Sequence, residues 1–237
     1  MGQSNMSGYG RQYNAAIDGP NDPRVQQWTR ANTITTASEK LEHADFSAGS
    51  QRVGMGTAFG RAYVNNLPAQ RNVLLVPTAY SGSRLVDGPW SPGGALFEDA
   101  VTRMEAALAS NGAGGNCVAA ILWHQGESDA DRYVDQGTYE SSWADMISTL
   151  RARIPTAVEA PVILGEFTPN EIADSPEKYE PILEAIRAIP EAVSRTAVAS
   201  SDGLENIPGD LIHFNTASMR EYGQRYFDKL GEAVQNE

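Results

Sequence analysis

The chain of 237 residues holds a single cysteine, Cys117, so no internal disulfide can form and the fold must rest on packing. Cys117 lies in a small apolar run, where a buried small hydrophobe is expected, not a nucleophile. No run of about 18 apolar residues occurs, so nothing is expected to span a membrane. Positive charge is scarce: 18 Lys and Arg stand against 30 Asp and Glu, a formal net charge of −12. Without clustered cations a nucleic-acid backbone is excluded as partner, and a neutral or cationic one is favoured. Histidine is scarce too, limited to His43, His124 and His213. No HExxH, CxxC or His-x-His spacing is present, so no metal or other cofactor is expected. The absence of GxxxxGK[ST] removes a phosphate cradle. No signal peptide is visible; the chain opens directly on a chemistry-bearing motif, so a soluble, secreted protein whose leader lies outside this chain fits.

What is present reads as one α/β domain over residues 1–237. Val73–Val76 and Cys117–Trp123 are apolar runs that fit buried parallel strands, joined by Val162–Leu164 and Thr196–Ala199. Short strands are expected at Val25–Trp28 and Asn32–Thr36. Helices are expected at Thr57–Asn65, Ala95–Ser110, around Tyr139, Trp143, Met146, Ile147 and Leu150, over Pro181–Ile189, and from Thr216 as N-cap to the end. Alternating strands and helices from about residue 57 predict a parallel sheet covered on both faces. In such sheets the site lies beyond the carboxyl ends of the strands. The segment from Gly8 to Gly56 is long and rich in turn formers, as functional loops often are.

Three separated stretches carry chemistry: Gly2-Gln3-Ser4-Asn5-Met6, Trp123-His124-Gln125-Gly126-Glu127-Ser128-Asp129, and Asp210-Leu211-Ile212-His213-Phe214. A serine hydroxyl needs a nearby base to become a nucleophile. Only His213 has a carboxylate, Asp210, close enough within one turn to orient its ring and leave Nε2 for Ser4. Acyl transfer also needs donors for an oxyanion. The Ser4 and Gly82 amides and the Gln125 side chain are the candidates, although a turn glycine and a loop amide are the plainer readings of the last two. Glu127 is either an alternative partner of His213 or a structural acceptor, with the structural role favoured. Asp129 is an N-cap or loop anchor. Trp90 is either a sugar-stacking platform or a wall of the pocket.

Those three blocks, with the loop Ala79 to Trp90, resemble the signature blocks of the sialate O-acetylesterase and acetylxylan esterase group (carbohydrate esterase family 6-like) in the SGNH hydrolase superfamily. The resemblance implies a flavodoxin-like three-layer α/β/α sandwich and metal-free removal of acetyl groups from carbohydrates. It implies Ser4 as nucleophile, His213 as base, Asp210 as orienting acid, and Ser4, Gly82 and Gln125 as oxyanion hole. Gln125 stands where the wider superfamily has an asparagine. A serine of this type is expected just after a first central strand, and only Met1 precedes Gly2, so that strand is expected to be missing before residue 1. Two other activities remain open on the same residues: a short-chain carboxylesterase without sugar preference, and a non-catalytic carbohydrate-binding or phage structural module.

Overall fold

The computed structural model describes residues 1–110 and 115–237. Its strands are short and fall into two sheets. In the first, β1 (Val25–Trp28) pairs antiparallel with β2 (Ile34–Thr36) and parallel with β3 (Val73–Leu75). In the second, β4 (Ile121–Trp123), β5 (Val162–Gly165) and β6 (Thr196–Ala199) are all parallel, in that order. The expected parallel sheet is therefore divided, with an antiparallel edge. Between β3 and β4 stand Met1 and Gly2. Gly2 forms a parallel bridge with His124, the His124 N–H donates to Met1 O (3.2 Å), and the Tyr80 N–H donates to Gly2 O (3.0 Å). These two residues occupy the place where the first central strand is expected.

Side chains of β5 alternate between two cores, as the period of a strand requires. Val162 and Leu164 face one core, which α4 (Ala95–Ala109), α6 (Gln136–Arg153) and α8 (Pro176–Ala192) close. Ile163 faces the other, closed by α3 (Gly56–Val64), α9 (Thr216–Asp228) and α10 (Leu230–Gln235). The result is an α/β fold with helices on both faces of its strands. The apolar stripe of α6 is wholly inside: Tyr139, Trp143, Met146, Ile147 and Leu150 are all buried. Asp135 starts that helix by accepting from the Thr138 N–H at 2.9 Å.

Several expectations are corrected. Cys117 is exposed, because β4 begins only at Ile121. β3 is parallel but only half-buried, and among the described residues it pairs with β1 alone. The helix expected from Pro181 starts at Pro176, a first-turn position where a missing N–H costs nothing. The N-cap of α9 is Asn215, whose side chain accepts from the Ser218 N–H. Thr216 is the first helical residue, and its hydroxyl accepts from the Gln12 N–H at 2.9 Å, tying down the long segment after the opening motif. No helix among the described residues is long and apolar enough to cross a membrane.

Candidate active site

The opening motif turns sharply as it leaves the seam. Gly2 has φ +127°, and a Cβ there would lie 2.1 Å from the His124 carbonyl oxygen. Only glycine tolerates both the dihedral and the approach. The Gln3 N–H then donates to His124 O at 2.9 Å, and α1 (Ser4–Ser7) begins. This single turn points the Ser4 hydroxyl out of the carboxyl end of the sheet while leaving the residue 5 % exposed.

Ser4 Oγ lies 3.0 Å from His213 Nε2, and His213 Nδ1 lies 2.9 Å from Asp210 Oδ2. Asp210 Oδ1 also accepts from the backbone N–H groups of Ile212 and His213, both at 3.0 Å. A carboxylate can only accept, so Nδ1 carries the ring proton and Nε2 presents its lone pair to Ser4. Burial works to raise the Asp210 pKa, but the hydrogen bonds from His213 outweigh it and hold the carboxyl below its usual range. His213 is thus backed by an ionised carboxylate. Arg11 adds a distant contact, 3.8 Å from Asp210 Oδ2, from a mostly exposed position.

The candidate oxyanion donors divide. The Ser4 N–H opens α1, and the Gly82 N–H lies in an exposed turn with φ +69°; neither has an acceptor within the described chain. Gln125 behaves differently. It is fully buried, and its Nε2 donates to Asp129 Oδ2 (2.5 Å), Ser83 O (3.2 Å) and Gln3 Oε1 (3.3 Å), while Tyr139 donates to its Oε1. Both amide protons are engaged by these acceptors, so Gln125 ties Gln3, Ser83 and Asp129 together beside the other candidate donors. Asp129 is a loop anchor, accepting from the Leu85 and Val86 N–H groups at 2.9 Å each.

Trp90 is completely buried, edge-on to Trp123, with Nε1 donating to Ser83 Oγ at 2.7 Å. It offers no face to a sugar and supports the loop from within. Glu127 does not reach His213: its Oε1 accepts from Asn5 Nδ2 at 3.1 Å, and burial pushes its pKa up to about 7. His124 and His43 are buried and neutral, each lowered to about 3 mainly by desolvation. Nδ1 of His124 pairs with the Tyr226 hydroxyl (3.0 Å), and His43 Nδ1 accepts from the Ala79 N–H (3.0 Å). Among the described residues no group of three or more His, Cys, Asp or Glu is arranged to hold a metal ion.

Three supporting side chains carried no readable signal in the sequence. Asn5 clamps the base loop on both sides of His213, donating to Ile212 O (2.9 Å) and accepting from the Phe214 N–H (3.2 Å). Asp45 accepts from Ser7 Oγ and Ser81 Oγ, both at 2.5 Å, and from the Ser81 N–H, joining the turn that carries Ser4 to the loop that carries Gly82. Tyr9 stacks against His213. Asn5 sits within the opening motif, but its partners lie 122 and more residues away and no local pattern announces them.

Known proteins resemble this chain over part of its sequence and, in fold, over nearly all of it. A curated probable carbohydrate esterase of Arabidopsis thaliana is 36 % identical over 111 residues, which is 46 % of this chain and 40 % of that protein. The chain therefore matches well under half of that relative's length. Among solved structures, one of an Arabidopsis thaliana protein superposes with TM-score 0.74 at 22 % identity, covering 98 % of this chain and 95 % of the other. NanS superposes with TM-score 0.84 at 18 % identity, covering 100 % and 96 %. A carbohydrate acetylesterase from Xanthomonas citri gives 0.67 at 19 %, covering 100 % and 56 %. At these identities the superpositions establish a shared α/β fold and nothing more. The model of the family "Carbohydrate esterase, sialic acid-specific acetylesterase" matches residues 1–232, and the chain belongs to that family.

Proposed function

We propose that this protein is a serine esterase that removes O-acetyl groups from carbohydrates through an acyl-enzyme. The observation that carries the reading is the unbroken relay from Ser4 Oγ through His213 to Asp210, with links of 3.0 and 2.9 Å. His213 Nε2 takes the Ser4 proton as Oγ attacks the acetyl carbonyl carbon. The carbonyl oxygen gathers negative charge, and the free N–H groups of Ser4 and Gly82 are the donors placed to stabilise it. On collapse, the imidazolium gives its proton to the departing sugar oxygen, leaving acetate bonded to Ser4. Water then attacks that ester, His213 again takes a proton, and acetate departs as the serine recovers its hydrogen. Asp210 keeps the ring oriented and stabilises its charged form in both halves.

Family membership supports a carbohydrate ester as substrate. The exposed side chains of Tyr80, Leu211 and Ile212, flanking the oxyanion and base loops, support an acceptor that meets an apolar rim. The test is turnover of p-nitrophenyl acetate and of acetylated xylan and O-acetyl sialic acid, with labelling by a serine-directed phosphonate. Label on Ser4, and loss of turnover by several orders of magnitude in Ser4→Ala, is expected. Full activity in Ser4→Ala overturns the reading.

A further inference from the structure

A second concavity of about 480 Å³ opens on the outer side of the base loop, between Pro208–Ile212 and the start of α8. Asp210 and Ile212 line it, so it shares a wall with the relay. Its floor includes Glu171, from the short helix α7 (Pro169–Asp174). Glu171 is 2 % exposed; neither carboxyl oxygen makes a hydrogen bond of good geometry, and the Tyr179 hydroxyl is its one weak side-chain partner. A buried carboxyl with so little hydrogen bonding is costly, and proteins rarely keep one without use. The walls carry charge of both signs: Arg11, which lies near Asp210, Lys178, which pairs with Asp131, and Asp174. Leu211 and Ile212 add apolar surface, 47 % and 37 % exposed. A concavity with balanced charge, apolar faces and a weakly bonded buried carboxyl suits an uncharged polyol ring better than an anion or an apolar chain.

We infer that this cleft is an accessory subsite for a sugar residue adjacent to the acetylated one, with Glu171 bonding a ring hydroxyl, so that the enzyme prefers oligosaccharide esters to monosaccharide esters. The inference rests on the esterase reading above. Burial, with nearby Glu127 second, pushes the Glu171 pKa up to about 9, so at neutral pH the group can donate as well as accept. Thr168, the N-cap of α7, donates through Oγ1 to Leu211 O at 2.5 Å, which fixes the subsite floor to the loop that carries the base.

The test compares wild type, Glu171→Leu and Glu171→Gln on acetylated xylo-oligosaccharides against acetylated methyl xyloside, and on O-acetylated sialyllactose against free O-acetyl sialic acid. Each kcat/KM is divided by that for p-nitrophenyl acetate, so changes in the triad cancel. Leucine removes the hydrogen bond without leaving a buried polar group, and melting curves show whether it folds. The expected result is an oligosaccharide preference in wild type for at least one pair. Glu171→Leu should lower it about three- to tenfold, the weight of one hydrogen bond, and Glu171→Gln should keep most of it. No preference in wild type, or a preference untouched by Glu171→Leu, overturns the subsite. Binding of unacetylated xylotetraose and sialyllactose to Ser4→Ala, followed by calorimetry, reports on the cleft without catalysis. A protein that fails on p-nitrophenyl acetate yet binds one of these glycans, less tightly after Glu171→Leu, loses the esterase reading and keeps the subsite; loss of glycan binding alone removes only the subsite.

Discussion

The ring of Tyr9 lies flat on the imidazole of His213, with centroids 4.0 Å apart and planes 7° from parallel. The Arg52 guanidinium sits 4.2 Å from the centroid of the same tyrosine. Stacking leaves the imidazole little room to swing away from Ser4. Tyr9→Ala is expected to lower kcat/KM for p-nitrophenyl acetate by about three- to tenfold, the weight of one aromatic pair, and Tyr9→Phe to retain most of it. Equal losses in the two variants would show that the hydroxyl, not the stack, matters.

Asp210→Asn probes the tautomer. The new side chain can still accept from the Ile212 and His213 amides, so the loop should keep its shape. An amide NH₂ facing Nδ1 donates, forcing the ring proton to Nε2 and ending its use as a base. A fall in kcat on the order of 10³–10⁴, with Tm little changed, is expected from steady-state kinetics and a thermal melt.

Asn5 is fully buried and uses both ends of its amide. Asn5→Ala should destabilise the protein by about 1–3 kcal/mol and loosen the base loop. Asn5→Asp keeps the shape but turns two donors into acceptors facing Ile212 O and Glu127, and should be at least as harmful. Urea unfolding monitored by tryptophan fluorescence measures both, and an Asn5→Asp variant as stable as wild type contradicts the clamp.

Glu171 gives stability a sign with pH. Its carboxyl, ordinarily at 4.5, is pushed up to about 9 by burial in the fold. Between those values the native state holds the proton more tightly than the unfolded chain, so raising pH removes stability until about pH 9. Glu171→Gln cannot titrate. The Tm of the variant relative to wild type is therefore expected to rise steadily from pH 5 to pH 9. A difference independent of pH means the carboxyl is ionised throughout.

Much of this architecture could be read before any coordinates. Apolar residues at helical spacing placed α6 and α9, because a stripe of Tyr139, Trp143, Met146 and Leu150 has only one way to be buried. Asp210 and His213 are close in the chain, so one turn suffices to bring Oδ2 within reach of Nδ1. What could not be read depends on contacts across the sequence. The direction of Gln125 follows from Asp129 and Gln3 packing around it, and the depth of Trp90 follows from Trp123. Strands of three or four residues carry too little pattern to reveal a divided sheet or the antiparallel β2.

The strap from Ser81 to Val86 is pinned at one end by Asp45, beside the sheet of β3, and at the other by Asp129, after the strand β4. It crosses a join where no ladder of strand bonds runs. Gly82 is therefore held between two carboxylate anchors. Loosening Asp129 frees the Gly82 strap alone, whereas loosening Asp45 also releases Ser7 in the turn that carries Ser4. On the proposed mechanism, tolerance for acyl groups bulkier than acetyl is thus adjustable at Asp129, with the hydroxyl, imidazole and acid of the relay unaltered.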